Sequence, residues 1–346
     1  MYIIFLQCRM YFNNKQTSSD HGVNLNWCSR CMPKPVNFSS QLCENHVGMN
    51  MDGLSISQPP ATESTKLNFD LLSKFEIDPD MCFDTPPDQK EDIRSTSIAF
   101  SDMVYSAEDH LIICISGTRI LQSRRSKTSE SRNCQKLLKY NEKGKYVAQC
   151  ILEGSPRKIC LLSSVEAVVT LGKKIQFVSM PDMSPGRSML IGSDCTGIAV
   201  VNNMIYVGDT TEMHVLDKIG RQLKKIDLPF PVNTIHLNAD GRLYCTTGVS
   251  FCSLTLGGSL VYSYNSSDLG RVNTIRSDKQ GHIYVAGDEL QMFYPYKSQV
   301  DRILGKEDRL GVIHAICFNN TQTKIFVANN DRKNITVYTL NDSKSM

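Results

Sequence analysis

The chain has 346 residues, 38 Lys and Arg against 35 Asp and Glu (a net charge of +3), 41 % hydrophobic residues and 13 cysteines. This is an ordinary globular composition: no stretch approaches the roughly 18 apolar residues of a membrane span, and Met1–Leu6 is too short, with no basic start, for a signal-peptide core. A disulfide framework is therefore not expected, and a cytoplasmic, reducing compartment is.

In chain order, residues 1–65 come first and read as an irregular leader, rich in Asn, Ser and Met and without a repeat period. Within it, residues 28–46 carry Cys28 and Cys31, then Cys43 and His46, two pairs that each enclose two residues. Thiolate and imidazole ligands at this spacing can close a tetrahedral structural zinc site, so zinc is the one cofactor expected. Between His46 and Lys66 stand Gly53, Pro59 and Pro60, which leaves no room for a heptad coiled coil, and a monomer is expected.

From residue 66 onward the chain repeats itself. An apolar triplet, a short polar turn and a β-branched run recur, as in Gly197-Ile-Ala-Val-Val with Met204-Ile-Tyr-Val-Gly-Asp, and Thr274-Ile-Arg-Ser with His282-Ile-Tyr-Val-Ala-Gly-Asp. Marking each copy by its first isoleucine gives Ile98, Ile159, Ile198, Ile235, Ile275 and Ile316. A period near forty built from short β runs predicts propeller blades. Six copies end near Leu340 with the last blade one strand short, so 66–346 is predicted to be an all-β, six-bladed propeller closed by a strand over 67–77. Closure of this kind removes the exposed edges of the ring.

The first repeat is longer than the others. The excess, Arg119 to Gln135, is polar and Ser-rich and reads as a long loop. It opens a basic sector: Lys66 to Thr118 holds 4 basic and 11 acidic residues, whereas Arg119 to Arg187 holds 14 and 5. Arg124, Arg125, Lys127, Arg132 and Lys136 are the candidate partner-binding residues, suited to phosphates or to acidic peptides. Protein or RNA is thus the expected partner, with no membrane and no small-molecule substrate.

The repeats resemble NHL-type six-bladed propellers, whose core Gly-x-Ile-Tyr-Val-x-Asp is nearly met by Asn203–Asp209 and Gly281–Asp288. Trp27-Cys-x-x-Cys and Leu42-Cys-x-x-His are similar to the centre of a B-box zinc finger. Together they resemble tripartite-motif (TRIM) proteins, especially the expanded mollusc set, with no RING and no coiled coil in this sequence. The resemblance implies a recognition or scaffold module, or the substrate-recognition part of a ubiquitin-ligase assembly whose RING comes from a partner. WD40 and kelch propellers fit less well, since the chain has a single Trp and one Gly-Gly pair.

A lactonase-like, metal-dependent hydrolase propeller is the enzyme alternative. Asp209, Asp288 and Asn329 recur at the ends of second strands, and such recurrence predicts that each caps its own turn. No Glu stands at a strand start, and no nucleophile–His–acid order or phosphate loop is visible. His110, His236, His282 and His314 read as surface or packing residues. The expectation is a protein without a catalytic constellation.

Overall fold

The structure is a computed structural model, and it describes residues 67–83, 93–122, 129–209, 211–228, 230–238, 241–265, 270–294, 300–308, 310–329 and 333–342. All belong to one compact unit, Glu63–Met346. The described residues form six four-stranded antiparallel sheets. Blade 1 is β2 (Ile93–Tyr105), β3 (His110–Gln122), β4 (Ser129–Asn141) and β5 (Tyr146–Ile151); blade 2 is β6 (Lys158–Leu161), β7 (Glu166–Leu171), β8 (Lys174–Ser179) and β9 (Ser184–Leu190). Blade 3 is β10 (Gly197–Val201), β11 (Met204–Gly208), β12 (Glu212–Leu216) and β13 (Gln222–Asp227); blade 4 is β14 (Thr234–Leu237), β15 (Leu243–Thr246), β16 (Ser250–Leu254) and β17 (Leu260–Asn265). Blade 5 is β18 (Val272–Ser277), β19 (Ile283–Gly287), β20 (Leu290–Phe293) and β21 (Val300–Leu304).

Blade 6 takes β22 (Ile313–Phe318), β23 (Lys324–Asn329) and β24 (Asn334–Asp342) from the end of the chain and β1 (Leu67–Glu76) from the other side. The outer strand runs antiparallel to β24 from Leu67 opposite Asp342 to Glu76 opposite Asn334, as the missing-strand argument predicts. A bulge between Leu71 and Ser73 interrupts it.

Each gap between blades is filled by its own apolar cluster. Val168, Ile175 and Phe177 of blade 2 meet Ile198, Ile205 and Val207 of blade 3, and the other five gaps repeat the scheme. A strand covered on both faces buries every side chain, which is why the second strands are apolar runs rather than alternations. Each fully buried Val, Ile or Phe contributes about 1.5–3 kcal/mol by leaving water. Tight turns carry the residues that positive φ demands: Asn202 and Asn203 (φ 49° and 60°) close β10–β11, a pairing that suits a two-residue hairpin.

Two readings of blade 1 are corrected. Met103, not Ile98, stands opposite Ile113, as Ile275 stands opposite Val285, so the first repeat begins five residues later than its isoleucine suggested. The polar stretch from Arg119 to Gln135 is mostly strand: β3 and β4 pair without interruption from His110–Asn141 to Gln122–Ser129. A ribbon that outgrows the ring has no neighbouring blade to bury it, so it needs no apolar run. A short helix, α1 (Pro79–Phe83), packs on its base and sends Cys82 and Phe83 into the core. Arg119, 1 % exposed, lies over the Phe83 ring at 4.5 Å and donates to Asp80 Oδ1 at 2.7 Å.

Candidate functional site

The first strands of the six blades surround a central channel, and charged side chains bar it. Arg276 on β18 reaches across to β2, donating to Asp102 Oδ1 at 2.7 Å and to Met103 O at 3.3 Å. Asp102 Oδ2 accepts the Ile159 amide at 3.1 Å. Lys158 on β6 spans the channel to Asn273 O on β18, the blade directly opposite, at 3.2 Å. These bars separate two cavities. One, of about 430 Å³, lies at the ends of the first strands and is lined by Asp102, Cys160, His236, Arg276, Cys317 and Asn320 among others. The second, about 370 Å³, lies at their starts, where Ser101, Arg157, Lys158, Asn233, Asn273 and His314 line it.

Burial governs the protonation of the channel groups. It pushes His236 down to about 3, helped by the Arg276 charge, so the ring is neutral and shares a 2.8 Å hydrogen bond with Ser277 Oγ. Burial likewise lowers Lys158, and the Asp102 carboxylate pulls it partly back.

A second assembly stands on the same face as the strand starts. Antiparallel pairing puts the start of β10 beside the end of β11, with Gly197 opposite Gly208. Just past that end, Asp209, Glu212 and His214 turn their ligand atoms to within 4.8 Å of one another. His214 Nε2 lies 3.4 Å from Asp209 Oδ2, 3.7 Å from Glu212 Oε2 and 3.1 Å from Ser193 Oγ, which arrives on the loop between β9 and β10. His214 Nδ1 is 3.0 Å from Gln222 Oε1. Asp209 Oδ1 accepts the Thr211 and Glu212 amides at 2.7 and 2.6 Å. Burial alone would raise the Asp209 carboxyl, but hydrogen bonds from Ser193, those two amides and His214 outweigh it and hold it below the usual range. Glu212 Oε2 also accepts Lys225 Nζ at 2.8 Å and keeps that ammonium's pKa up.

This overturns the expectation that no catalytic constellation would be found. Asp209 does cap its turn, as its recurrence implied, but with one oxygen; the other faces an imidazole. His214 escaped notice because it sits inside Glu-Met-His-Val-Leu, which reads as an apolar strand. A signal was available in the register. Gln176, His214, Gln291 and Thr336 each stand opposite the valine of the second strand (Val169, Val207, Val285, Val327), a buried third-strand position that is polar in these four blades. Gln176 there holds the incoming loop by accepting the Glu153 amide at 3.1 Å, as His214 holds Ser193.

The residues singled out from sequence fall elsewhere. Cys28, Cys31, Cys43 and His46 lie outside the described residues, as do Arg124, Arg125 and Lys127. Arg132 is on β4, 3.2 Å from Glu130 Oε1. Lys136 is buried beneath α1, donating to Met81 O and Gln149 Oε1. Other members of the basic sector are also engaged within the fold, Lys139 with Glu108 and Met180 O, Arg157 with Asp194, and Lys174 with Glu153.

Fold and channel together define a six-bladed antiparallel β-propeller. No protein-family model matches the chain, and no curated protein is significantly similar to it. Among the described residues no helix is long and apolar enough to cross a membrane.

Proposed function

We propose that this propeller is a recognition module that takes an acidic protein segment at the channel mouth where the first strands start. Lys158 carries the reading. Its side chain is 8 % exposed, it faces the 370 Å³ mouth, and its ammonium donates to one protein acceptor, Asn273 O. An ammonium has three donors, and a buried one with donors to spare favours an anionic acceptor. Among the described residues no carboxylate lines that mouth, and Arg157 stands on its rim. A glutamate or aspartate side chain entering from above would complete the set.

The resemblance to NHL-type propellers of the TRIM family supports the same role, and in that setting the chain would supply substrate recognition to a RING-bearing partner. A zinc knuckle at Cys28, Cys31, Cys43 and His46 and a cytoplasmic address belong to the same proposal. The nine described cysteines, all free thiols, suit a reducing compartment.

The test is fluorescence anisotropy with labelled oligo-glutamate and with a single-stranded RNA of equal charge, at low and moderate salt. Oligo-glutamate is expected to bind and to lose about tenfold in affinity in Lys158→Met, the order of one charge-assisted hydrogen bond. Absence of peptide binding at low salt refutes the proposal. RNA binding that survives Lys158→Met refutes it too, in favour of a nucleic-acid surface elsewhere on the ring.

A further inference from the structure

Asp209, Glu212 and His214 are more than a turn with a histidine beside it, as blades 2 and 5 show. Where blade 3 has His214, those blades place Gln176 and Gln291, so an amide at this position suffices to stand in the third strand. Blade 5 even has an acidic pair nearby, but its members are committed elsewhere: Asp288 Oδ2 accepts the Arg271 amide at 3.0 Å, and Glu289 pairs with Arg302 at 3.3 Å. In blade 3 two carboxylates are instead turned on one imidazole nitrogen.

The imidazole is oriented as a metal ligand is. Gln222 Oε1, 3.0 Å from Nδ1, anchors the far side of the ring and leaves Nε2 facing the two carboxylates. An outer-shell acceptor that fixes the tautomer is the usual companion of a metal-binding histidine. The Nε2 atom, two carboxylate oxygens and the Ser193 oxygen converge on one small volume. Four potential ligand atoms at this spacing, two of them on carboxylates, are the donor set of a cation site. Lys225 supplies part of that charge to Glu212, but it approaches from an exposed position and is 2.8 Å from that oxygen alone.

Separations also fit. Ligand bonds of about 2.0–2.2 Å put neighbouring donor atoms roughly 3–4 Å apart around one ion. Nε2 stands at 3.4, 3.7 and 3.1 Å from the Asp209, Glu212 and Ser193 oxygens. Asp209, just past β11, and His214, in the middle of β12, are buried, while Glu212 is partly exposed and gives an entry path.

We infer that Asp209, Glu212 and His214, with the Ser193 hydroxyl, form a binding site for one divalent transition-metal ion of the manganese or zinc class. Two carboxylates and one imidazole are a hard-to-borderline set that both ions accept, and the set leaves coordination positions open to water on the Glu212 side.

Manganese is the probe of choice because it is a poor partner for thiolates, so the cysteines of the chain do not compete for it. The chelator-stripped full chain is titrated with Mn²⁺ and the free ion is read by its paramagnetic resonance signal. One Mn²⁺ per chain is expected, displaced by Zn²⁺. Glu212→Gln and His214→Gln are each expected to weaken binding at least tenfold, with unchanged circular dichroism. Lys225→Met, which removes the ammonium competing for Glu212, is expected to tighten it severalfold. No Mn²⁺ uptake overturns the inference. Uptake indifferent to both Glu212→Gln and His214→Gln overturns it as well, since the ion is then elsewhere.

Discussion

Arg276→Met is the sharpest test of how the channel is held. The guanidinium is 13 % exposed and its Asp102 partner 3 %, at 2.7 Å. At an effective dielectric near 20, two charges centred about 4 Å apart attract by about 4 kcal/mol, most of it offset by the desolvation of both. The cost of removing one partner is different, because it strands the other, and buried pairs then lose about 3–5 kcal/mol. Asp102 keeps the Ile159 amide and the Lys158 charge, and the 430 Å³ cavity beside it has room for water. The lower end of the range therefore applies, about 3 kcal/mol, or about 6 °C in Tm at about 2 °C per kcal/mol for a domain of this size. Urea unfolding of wild type, Arg276→Met, Asp102→Asn and the double variant gives the coupling between blades 1 and 5. It is expected to be about 2 kcal/mol, so that the double variant loses about 2 kcal/mol less than the sum of the two single losses. Coupling below about 0.5 kcal/mol would refute the reasoning, because water in the channel would then be solvating each charge by itself.

Deleting residues through Thr65 leaves β1 intact and is expected to leave Tm unchanged, whereas deletion through Ile77 exposes the edge of β24 and gives aggregation or a Tm loss above about 10 °C by scanning fluorimetry. His236, at about 3 when folded against an ordinary 6.5, stays neutral while the unfolded chain takes up a proton. Stability is therefore full above about pH 6.5 and falls as the pH drops toward 3, by at most about 1.4 kcal/mol per unit. The ring lines the 430 Å³ cavity, which has room for water, so about 2 kcal/mol is expected between pH 6.5 and 4, and His236→Gln should abolish it; parallel urea midpoints for the two proteins would sink the argument.

The blades were legible because a strand covered on both faces must be apolar, and Ile205-Tyr-Val and Ile283-Tyr-Val announce that directly. Blade 1 was misaligned because Met103 occupies the place that isoleucine marks elsewhere. Its β3–β4 ribbon was missed because strands beyond the ring can be polar, and Ser-Arg-Asn-Cys carries no alternation that distinguishes it from a loop. The channel bars were invisible for another reason. Asp102 and Arg276 are 174 positions apart and Lys158 and Asn273 115, and only ring closure brings them face to face. The blade 3 cluster was half legible: Asp209 was seen as a cap, Glu212 and His214 went unremarked, and Ser193 comes from a loop whose approach no local pattern encodes.

The joining of β1 to β24 also sets a timetable for biosynthesis. Glu76 pairs with Asn334, so β1 finds its partner only after the whole ring between them has been made. At about 5–20 residues per second, some 250 intervening residues take roughly 12–50 s to emerge. Throughout that interval Leu71, Leu72 and Phe75 are presented on an unpaired strand while blades 1 to 5 can already stack on one another. The growing chain is thus an open arc whose two ends are the last surfaces to be satisfied. Holding that arc apart from its copies falls to whatever chaperone meets the nascent chain.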